Sequence, residues 1–261
     1  MNSNLNLVSQ ELLLKFLAEH NAYYECPKDE TGKRLGPLVG YAGKYLKPGG
    51  STYVSEQANY VGEVYYNIAA LERKPQKLRK LTGLLSDIVR SERVHGRLRH
   101  TAQSDIVLLA APMGGLSCAL QLSENLDLDY TFAEKKVTKA ATEDGQREES
   151  VLVMGRHEIC PGQEVFLVED VCNNFSTTKA IKHLVESFGA KLVRIICLVN
   201  RSPADSWEGI PVISLGHIPT AQYQQGDPFV VDDVAAGNVV WKPKLKWPEL
   251  METMRRAANT A

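Results

Sequence analysis

The chain has 261 residues, and its 30 lysine and arginine residues are balanced by 31 aspartate and glutamate residues, for a formal net charge of −1. Without a basic excess, we expect no nucleic-acid partner. The hydrophobic fraction of 44% and the charged fraction of 23% are typical of a globular chain. No apolar run approaches the ~20 residues of a membrane helix, and the first residues do not resemble a secretory signal, so we expect no membrane association.

The cysteines are odd in number and scattered along the chain. There is no CxxC pair and no cluster with histidine, so neither a disulfide framework nor a structural zinc site is expected. We interpret them as small buried hydrophobic residues of a reduced, cytoplasmic protein. They are Cys26, Cys118, Cys160, Cys172 and Cys197.

The first 75 residues combine a helix with a turn-rich segment. Apolar residues recur at helical spacing within residues 8–20. Residues 21–62 are rich in glycine and proline, and their aromatic residues are nearly all tyrosine, which predicts turns and short strands. A second helix is predicted over residues 75–93, where Pro75 stands at the start of an amphipathic leucine pattern.

From residue 106 onward, apolar strands alternate with helices. This alternation predicts a mostly parallel sheet covered by helices on both faces. We assign a core to residues 76–216, and a small cap (hood) subdomain to residues 1–75 with residues 217–261. The charged segment 135–150 is predicted to be a mobile loop. The strands are predicted at 106–111, 130–133, 151–154, 164–168, 192–199 and 211–215, and the helices at 116–126, 176–188 and 247–257.

Two adjacent carboxylates, Glu169 and Asp170, stand at the exit of the apolar strand EVFLV. Buried acids need partners such as a diol, a metal ion or a basic neighbour. A polar loop follows, and then a helix that Ser176 or Thr177 can cap; the N-terminus of a helix suits a phosphate. A sugar phosphate fits this arrangement, and an ordinary polar loop with an N-cap remains an alternative.

Several segments, taken in order, resemble the type I phosphoribosyltransferases, and most closely the orotate phosphoribosyltransferases. The strongest match is the strand VFLVEDV with the hydroxyl-rich loop and helix after it, which resembles the family signature for 5-phosphoribosyl 1-pyrophosphate (PRPP). The matching segments are GEVYYN (62–67), LLAAPMGGLSCAL (108–120), FAEKK (132–136), HEICPGQEVFLVEDV (157–171) and CLVNRS (197–202).

The resemblance implies a PRPP site at the carboxyl ends of the strands. Glu169 and Asp170 would bind the ribose hydroxyls, and Asp170 would also be a catalytic residue. Lys135 and Lys136, supported by Lys139 and Arg147, would stabilise the pyrophosphate leaving group. The 5′-phosphate would be wrapped by Asn173, Asn174, Phe175, Ser176 and Thr177, and the pyrophosphate would be approached by Met113, Gly114 and Gly115.

The resemblance also implies how the second substrate binds. Arg201 would pair with the carboxylate of orotate, and Tyr65 and Tyr66 would stack on the base. Mg²⁺ would be held mainly through PRPP and water rather than by a set of protein ligands. The implied product is orotidine 5′-monophosphate in pyrimidine biosynthesis, and the implied assembly is a homodimer.

Alternative interpretations stay open at this point. Phe175 stands where the family has a glycine, so the chain could be a transferase for a different base, or a non-catalytic nucleotide or PRPP sensor. The lysines could lie on a solvated loop, Arg201 could be a surface residue at a strand end, and the tyrosines could be packing residues. His157 is interpreted as structural, and Asp232 and Asp233 as a surface turn.

Overall fold

The computed structural model describes residues 9–41, 60–94, 105–139 and 149–258. The chain divides into two compact units. The first comprises Leu71–Pro219 with the N-terminal residues up to Leu13, and the second comprises Leu14–Ala70 with Thr220–Ala261. Within the described ranges, no helix combines the length and the apolar character that crossing a membrane requires.

Both units contain helices and strands. In chain order, the helices are α1 (Gln10–Glu19), α2 (Ala69–Glu72), α3 (Pro75–Val94), α4 (Leu116–Leu126), α5 (Ser176–Ser187), α6 (Val231–Ala235) and α7 (Trp247–Ala258). The strands are β1 (Tyr23–Glu25), β2 (Leu38–Gly40), β3 (Tyr60–Gly62), β4 (Val64–Tyr66), β5 (Ile106–Ala110), β6 (Asp129–Lys139), β7 (Glu149–Met154), β8 (Glu164–Cys172), β9 (Lys191–Asn200), β10 (Ser206–Trp207), β11 (Ile210–His217), β12 (Tyr223–Gln224) and β13 (Val239–Val240).

The first unit is built on a seven-stranded sheet with the order β10-β11-β9-β8-β5-β6-β7. The five inner strands are parallel, and the two edge strands are antiparallel to their neighbours. All five residues of β5 are buried, as expected for a strand covered on both faces. The predicted α/β class, a mostly parallel sheet with flanking helices, is therefore confirmed.

The described residues up to Leu13 belong to the first unit, whereas the sequence-based division placed them in the cap. The amide of Gln10 donates a hydrogen bond to the carbonyl of His217 at 2.6 Å. A Cβ at Gly216 would come 2.5 Å from the Leu13 side chain, so Leu13 packs closely on the end of β11. The predicted core, residues 76–216, lies inside this unit.

The predicted mobile loop at residues 135–150 was wrong for its described ends. Lys135 pairs with Leu152 and Lys136 with Val151 in the antiparallel ladder between β6 and β7. The charged side chains misled the prediction, because they stand at exposed positions of a strand whose backbone is paired. Residues 140–148, including Arg147, and the side chain of Lys139 lie outside the described part of the chain.

The second unit contains two small sheets. One pairs β1 with β4, and the other has the order β12-β3-β2-β13. The predicted turn at Asp232 and Asp233 was wrong, because both residues lie in the first turn of α6, although Asp232 is at the surface as expected. There, the carboxylate of Asp233 accepts a hydrogen bond from the Arg34 guanidinium at 2.8 Å. One core cluster of this unit is formed by Tyr24, Cys26, Val39, Trp247, Leu250 and Met251, and a second by Leu38, Val61 and Val230.

Candidate functional site

The Gly-Gly turn after β5 lies against the acidic pair of β8. A Cβ built on Gly114 would come 2.5 Å from the carboxylate carbon and Oδ1 of Asp170. A Cβ on Gly115 would overlap the carbonyl oxygen of Val168. Because β5 and β8 are parallel neighbours, their carboxyl ends share one edge of the sheet. Glycine is therefore required at both positions for the turn to approach the end of β8.

The exposed corner of this turn is Met113. Its side chain is 76% exposed, and the peptide bond between Pro112 and Met113 is cis. The turn is anchored by the amide of Ala111, which donates to the carbonyl of Val168 at 2.9 Å, and by the amide of Gly115, which donates to the carbonyl of Ala111 at 3.0 Å. Met113 and Gly114 are thus presented at the carboxyl edge.

The two acids of β8 differ in their surroundings. Burial and the neighbouring charge of Asp170 raise the pKa of Glu169 to about 8, while the positive charge of Lys135 opposes the rise. Glu169 is therefore largely protonated at neutral pH in the free protein. Oδ1 of Asp170 accepts a hydrogen bond from the amide of Val171 at 2.9 Å. Since adjacent strand residues alternate between faces, the two side chains leave β8 in opposite directions.

The two lysines lie on β6, at the carboxyl edge of the sheet, where the acidic pair of β8 also lies. β5 pairs with β6 only as far as Phe132, so Lys135 and Lys136 extend beyond the end of β5. Both side chains are exposed. Lys135 is close enough to Glu169 for its charge to act on that carboxyl group. The structure therefore brings Lys135 and the acidic pair into one electrostatic site.

The loop between β8 and α5 is shaped by Asn174 and Phe175. Oδ1 of Asn174 accepts a hydrogen bond from the amide of Ser176 at 3.2 Å. Phe175 is the N-cap residue and has left-handed backbone angles, with φ of 56° and ψ of 19°. The predicted capping by Ser176 or Thr177 was therefore wrong, because both residues lie inside the helix and the side-chain contact comes from Asn174.

The ring of Phe175 packs inward. It lies against the core cluster that contains Ile181 and Val185 of α5. It also stacks on the indole of Trp207, with ring centroids 5.9 Å apart and planes inclined by 24°. A phenylalanine in a backbone conformation that favours glycine is thus held by side-chain contacts.

Arg201 is buried directly after β9. Its exposed fraction is only 4%, so the alternative of a surface arginine was wrong. Its amide donates to the carbonyl of Cys172 at 2.9 Å. The side chain of Asn200 fixes the turn, because its Oδ1 accepts from the hydroxyl of Ser202 at 2.7 Å and its Nδ2 donates to the carbonyl of Ala204 at 2.8 Å. The backbone around Arg201 is therefore rigidly defined.

Sequence reasoning placed Asn200 and Ser202 in the matching segment CLVNRS but assigned neither of them a role in this turn. Asn200 and Ser202 form a side-chain turn of the kind that an Asn-x-Ser sequence can form. Nε2 of His217 donates to the carbonyl of Ser202 at 2.9 Å. The Asn-x-Ser pattern was visible in the sequence, whereas the contact from β11 depends on the sheet and has no local signal.

The tyrosines proposed for the base belong to the second unit, whereas Arg201 belongs to the first. Tyr66 is buried, and its ring centroid lies 5.3 Å from that of Tyr23. Tyr65 is partly buried, with its ring centroid 5.9 Å from that of Trp247. Both rings therefore have packing partners inside their own unit.

His157 is exposed, and its ring meets that of Phe132 edge-on, with centroids 5.7 Å apart. Of the cysteines, Cys160 is exposed and the other four are buried, and all five are free thiols. The interpretation of the cysteines as buried residues was therefore wrong for Cys160.

Residues 67–210 match the family model of the phosphoribosyl transferase domain, which is more than half of the chain. The chain belongs to this phosphoribosyltransferase family. The matched segment contains the Gly-Gly turn, the acidic pair, both lysines and Arg201. The resemblance inferred from the sequence motifs is therefore confirmed at the level of the family.

Curated relatives of this phosphoribosyltransferase-family chain carry the name orotate phosphoribosyltransferase. The protein from Carboxydothermus hydrogenoformans is 24% identical over 160 residues, which is 61% of this chain and 73% of the relative. The protein from Caldanaerobacter subterraneus is 26% identical over 120 residues, which is 46% of this chain and 57% of the relative. The matches thus span between about half and three quarters of these relatives.

Among solved structures, UMP synthase from Leishmania donovani superposes with a TM-score of 0.50 at 14% sequence identity. The superposition covers 97% of this chain and 43% of that protein. At this identity the likeness concerns the fold alone.

Proposed function

We propose that the chain transfers the 5-phosphoribosyl group of PRPP to orotate and releases pyrophosphate. The observation that carries the proposal is the contact between Gly114 and Asp170, because it sets the turn proposed for pyrophosphate beside the acids proposed for ribose. PRPP carries its pyrophosphate on the ribose carbon next to the 2′-hydroxyl. A protein that binds both parts therefore needs these two elements at one edge of the sheet.

The charges of the site suit the departure of pyrophosphate. The reaction develops positive charge on the ribose and negative charge on the leaving group. Asp170 would hold a ribose hydroxyl and favour the cationic ring, and the exposed ammonium groups of Lys135 and Lys136 would neutralise the leaving group. Glu169, with its raised pKa, can donate a hydrogen bond as well as accept one.

The 5′-phosphate is assigned to the loop from Asn173 to Thr177. The amides of the first turn of α5 point out of the helix end, and the helix dipole favours an anion there. Phe175 already has the left-handed conformation that a glycine would supply. This observation supports phosphate binding at the loop, because the substitution has not removed the backbone shape of the loop.

Mg²⁺ fits the donor set as a partner of PRPP rather than of a protein cage. Among the described residues, no group of three or more acidic, histidine or cysteine side chains is arranged to hold a metal ion. Mg²⁺ prefers oxygen ligands, and the pyrophosphate of PRPP together with water would supply them. When bound, Mg²⁺ would neutralise charge on the leaving group.

Orotate is the base that the site supports best. Its carboxylate would pair with Arg201, whose guanidinium is suited to bidentate recognition. The burial of Arg201 and the side-chain contacts of Asn200 support a fixed role for this arginine. The curated names of the two relatives point the same way.

The test is a calorimetric titration with PRPP and Mg²⁺, followed by the loss of orotate absorbance. Binding with consumption of orotate would support the proposal in full. Binding with turnover of uracil or adenine but not orotate would overturn the choice of base and retain the transferase. Absence of PRPP binding at millimolar concentration would overturn the enzymatic proposal.

The Arg201→Lys variant distinguishes recognition of the base from binding of PRPP. Lysine keeps the charge but loses the bidentate geometry. We expect the KM for orotate to rise at least tenfold while the Kd for PRPP changes little. Equal effects on both substrates would contradict the role assigned to Arg201.

We also propose a cytoplasmic homodimer. Five free thiols fit a reducing compartment. Light scattering of the purified protein would give a mass near twice 28.9 kDa for the dimer.

A further inference from the structure

A short hairpin stands beside the phosphate loop of the first unit. β10 and β11 are antiparallel, with Trp207 opposite Ile210. The two residues between them, Glu208 and Gly209, have positive φ angles of 48° and 76°. This is the pattern of a tight two-residue hairpin turn, which holds its flanking strands in fixed register. The tight hairpin therefore fixes the position of Trp207.

The hairpin contacts both the residue that precedes α5 and α5 itself. The indole of Trp207 stacks on Phe175, with centroids 5.9 Å apart. Nζ of Lys182 donates to Oε2 of Glu208 at 2.8 Å and lies 5.9 Å from the centroid of the Trp207 ring. Trp207 and Phe175 both pack on the same buried core cluster. One aromatic contact is thus made to the loop residue and one polar contact to the helix body.

We propose that Trp207 is a positioning residue for phosphate binding, acting through the stacked ring of Phe175. The proposal rests on the proposed function, because the phosphate in question is the 5′-phosphate of PRPP. Trp207 belongs to a hairpin after β9, outside every motif that suggested the PRPP site. In this chain, Trp207 would allow the phosphate loop to form without a glycine at position 175.

The backbone of Phe175 lies in the left-handed region. A residue with a Cβ enters the left-handed region much less readily than glycine does. The φ of 56° therefore has to be held by contacts, and the ring stacked on Trp207 provides one of them. If that ring is released, the peptide planes on either side of Phe175 can rotate. The amide of Ser176, now bonded to Asn174, would then change its direction.

The first experiment measures the loop without any ligand. Hydrogen–deuterium exchange of the segment 172–180 is compared in the wild type, Trp207→Ala and the conservative variant Trp207→Phe. We expect faster exchange in Trp207→Ala and a return towards the wild-type rate in Trp207→Phe, whose ring can still stack. Glu208→Gln is the matched control, because it weakens the polar contact to Lys182 and leaves both the aromatic stack and the ammonium group of Lys182 beside the Trp207 ring.

The second experiment measures binding and turnover. Trp207→Ala should raise the KM for PRPP about fivefold to tenfold, the size expected for loss of one aromatic pair, with kcat changed less than twofold. In the double variant Phe175→Gly, Trp207→Ala, glycine no longer needs the ring to hold its backbone. The effect of removing Trp207 should therefore be much smaller in that background.

The outcomes are distinct. Unchanged exchange and an unchanged KM for PRPP in a folded Trp207→Ala variant would overturn the positioning role. So would an equal loss of PRPP affinity with and without glycine at position 175. If the wild type does not bind PRPP, the proposed function fails, and the exchange data alone decide whether Trp207 holds the loop. If Trp207→Ala does not fold, Trp207→Leu keeps apolar volume without a ring and replaces it in both measurements.

Discussion

The backbone of Gly114 lies directly against the carboxylate of Asp170, with no room between them for a side chain. Gly114 follows β5, and Asp170 is near the end of β8, so the contact depends on the parallel pairing of these two strands. It connects the turn assigned to pyrophosphate with the acid assigned to ribose. A change at Gly114 should therefore disturb both parts of PRPP binding.

We expect Gly114→Ala to weaken PRPP binding at least tenfold. The new methyl group would meet the Asp170 carboxylate at 2.5 Å, so the turn or the acid has to move. Gly83→Ala is the matched control, because nothing lies within 4 Å of its Cβ position in α3 and alanine favours a helix. Calorimetric titration with PRPP measures both. Equal affinity of the two variants would contradict the assignment.

The raised pKa of Glu169 makes stability depend on pH. Glu169 has a pKa of about 8 in the folded protein because of burial and the charge of Asp170, and about 4.3 in the unfolded chain. Between these values the unfolded state releases a proton that the folded state keeps. The free energy of unfolding should therefore fall as pH rises from about 4.5 to about 8.

The Glu169→Gln variant should lack this fall in stability. Glutamine stays neutral, so its Tm advantage over the wild type should grow between pH 5 and pH 8, over about the interval set by the two pKa values. Glu158→Gln, at an exposed position, is the matched control and should follow the wild type. Thermal unfolding at several pH values measures this. A constant difference between Glu169→Gln and the wild type would show that the acid is not buried in this way.

Phe175 combines left-handed backbone angles with a packed ring, and two substitutions separate their effects on stability. Phe175→Gly and Phe175→Ala both lose the contacts with Trp207 and the core, so both should be less stable than the wild type by about 1–3 kcal/mol. Alanine keeps a Cβ at a φ of 56°, so it should be about 1 kcal/mol less stable than glycine. Urea unfolding gives the order, and an alanine variant as stable as glycine would contradict the left-handed backbone.

Arg34 is the polar centre of the second unit. Its Nε lies 2.8 Å from a carboxylate oxygen of Glu63, its Nη1 lies 2.8 Å from Asp233, and its guanidinium lies 4.3 Å from the centroid of the Phe229 ring. The side chain is 12% exposed. Arg34→Met leaves two partly buried carboxylates with reduced compensation, so we expect a loss of about 2–4 kcal/mol.

The control for Arg34 is an exposed ion pair of the same unit. Lys246→Met removes the ion pair with Glu249, in which the Lys246 side chain is 56% exposed and the Glu249 side chain 65% exposed. Such pairs contribute about 0–1 kcal/mol. Denaturant unfolding of both variants distinguishes them. A similar small loss in each would mean that Arg34 is a surface pair rather than the centre of this network.

The sequence by itself determined the order of the main elements of the first unit. The strands β5, β8 and β9 are continuous apolar runs, and α3, α4 and α5 follow helical periodicity, so each carries a local signal for its structure. The motifs after these strands are contiguous in the sequence, so they could be recognised without the structure. Because the strands are parallel, their carboxyl ends lie at one edge of the sheet. The family followed from these features.

The tertiary structure decided what local signals do not encode. β6 extends through Lys135 and Lys136 because β7 supplies its hydrogen bonds, against the charged character of the segment. Arg201 is buried by its surroundings rather than by its own hydropathy. Phe175 holds a backbone conformation suited to glycine because Trp207, 32 positions away in the sequence, provides a surface for its ring. Contacts between distant residues favoured these conformations over the local preferences of the chain.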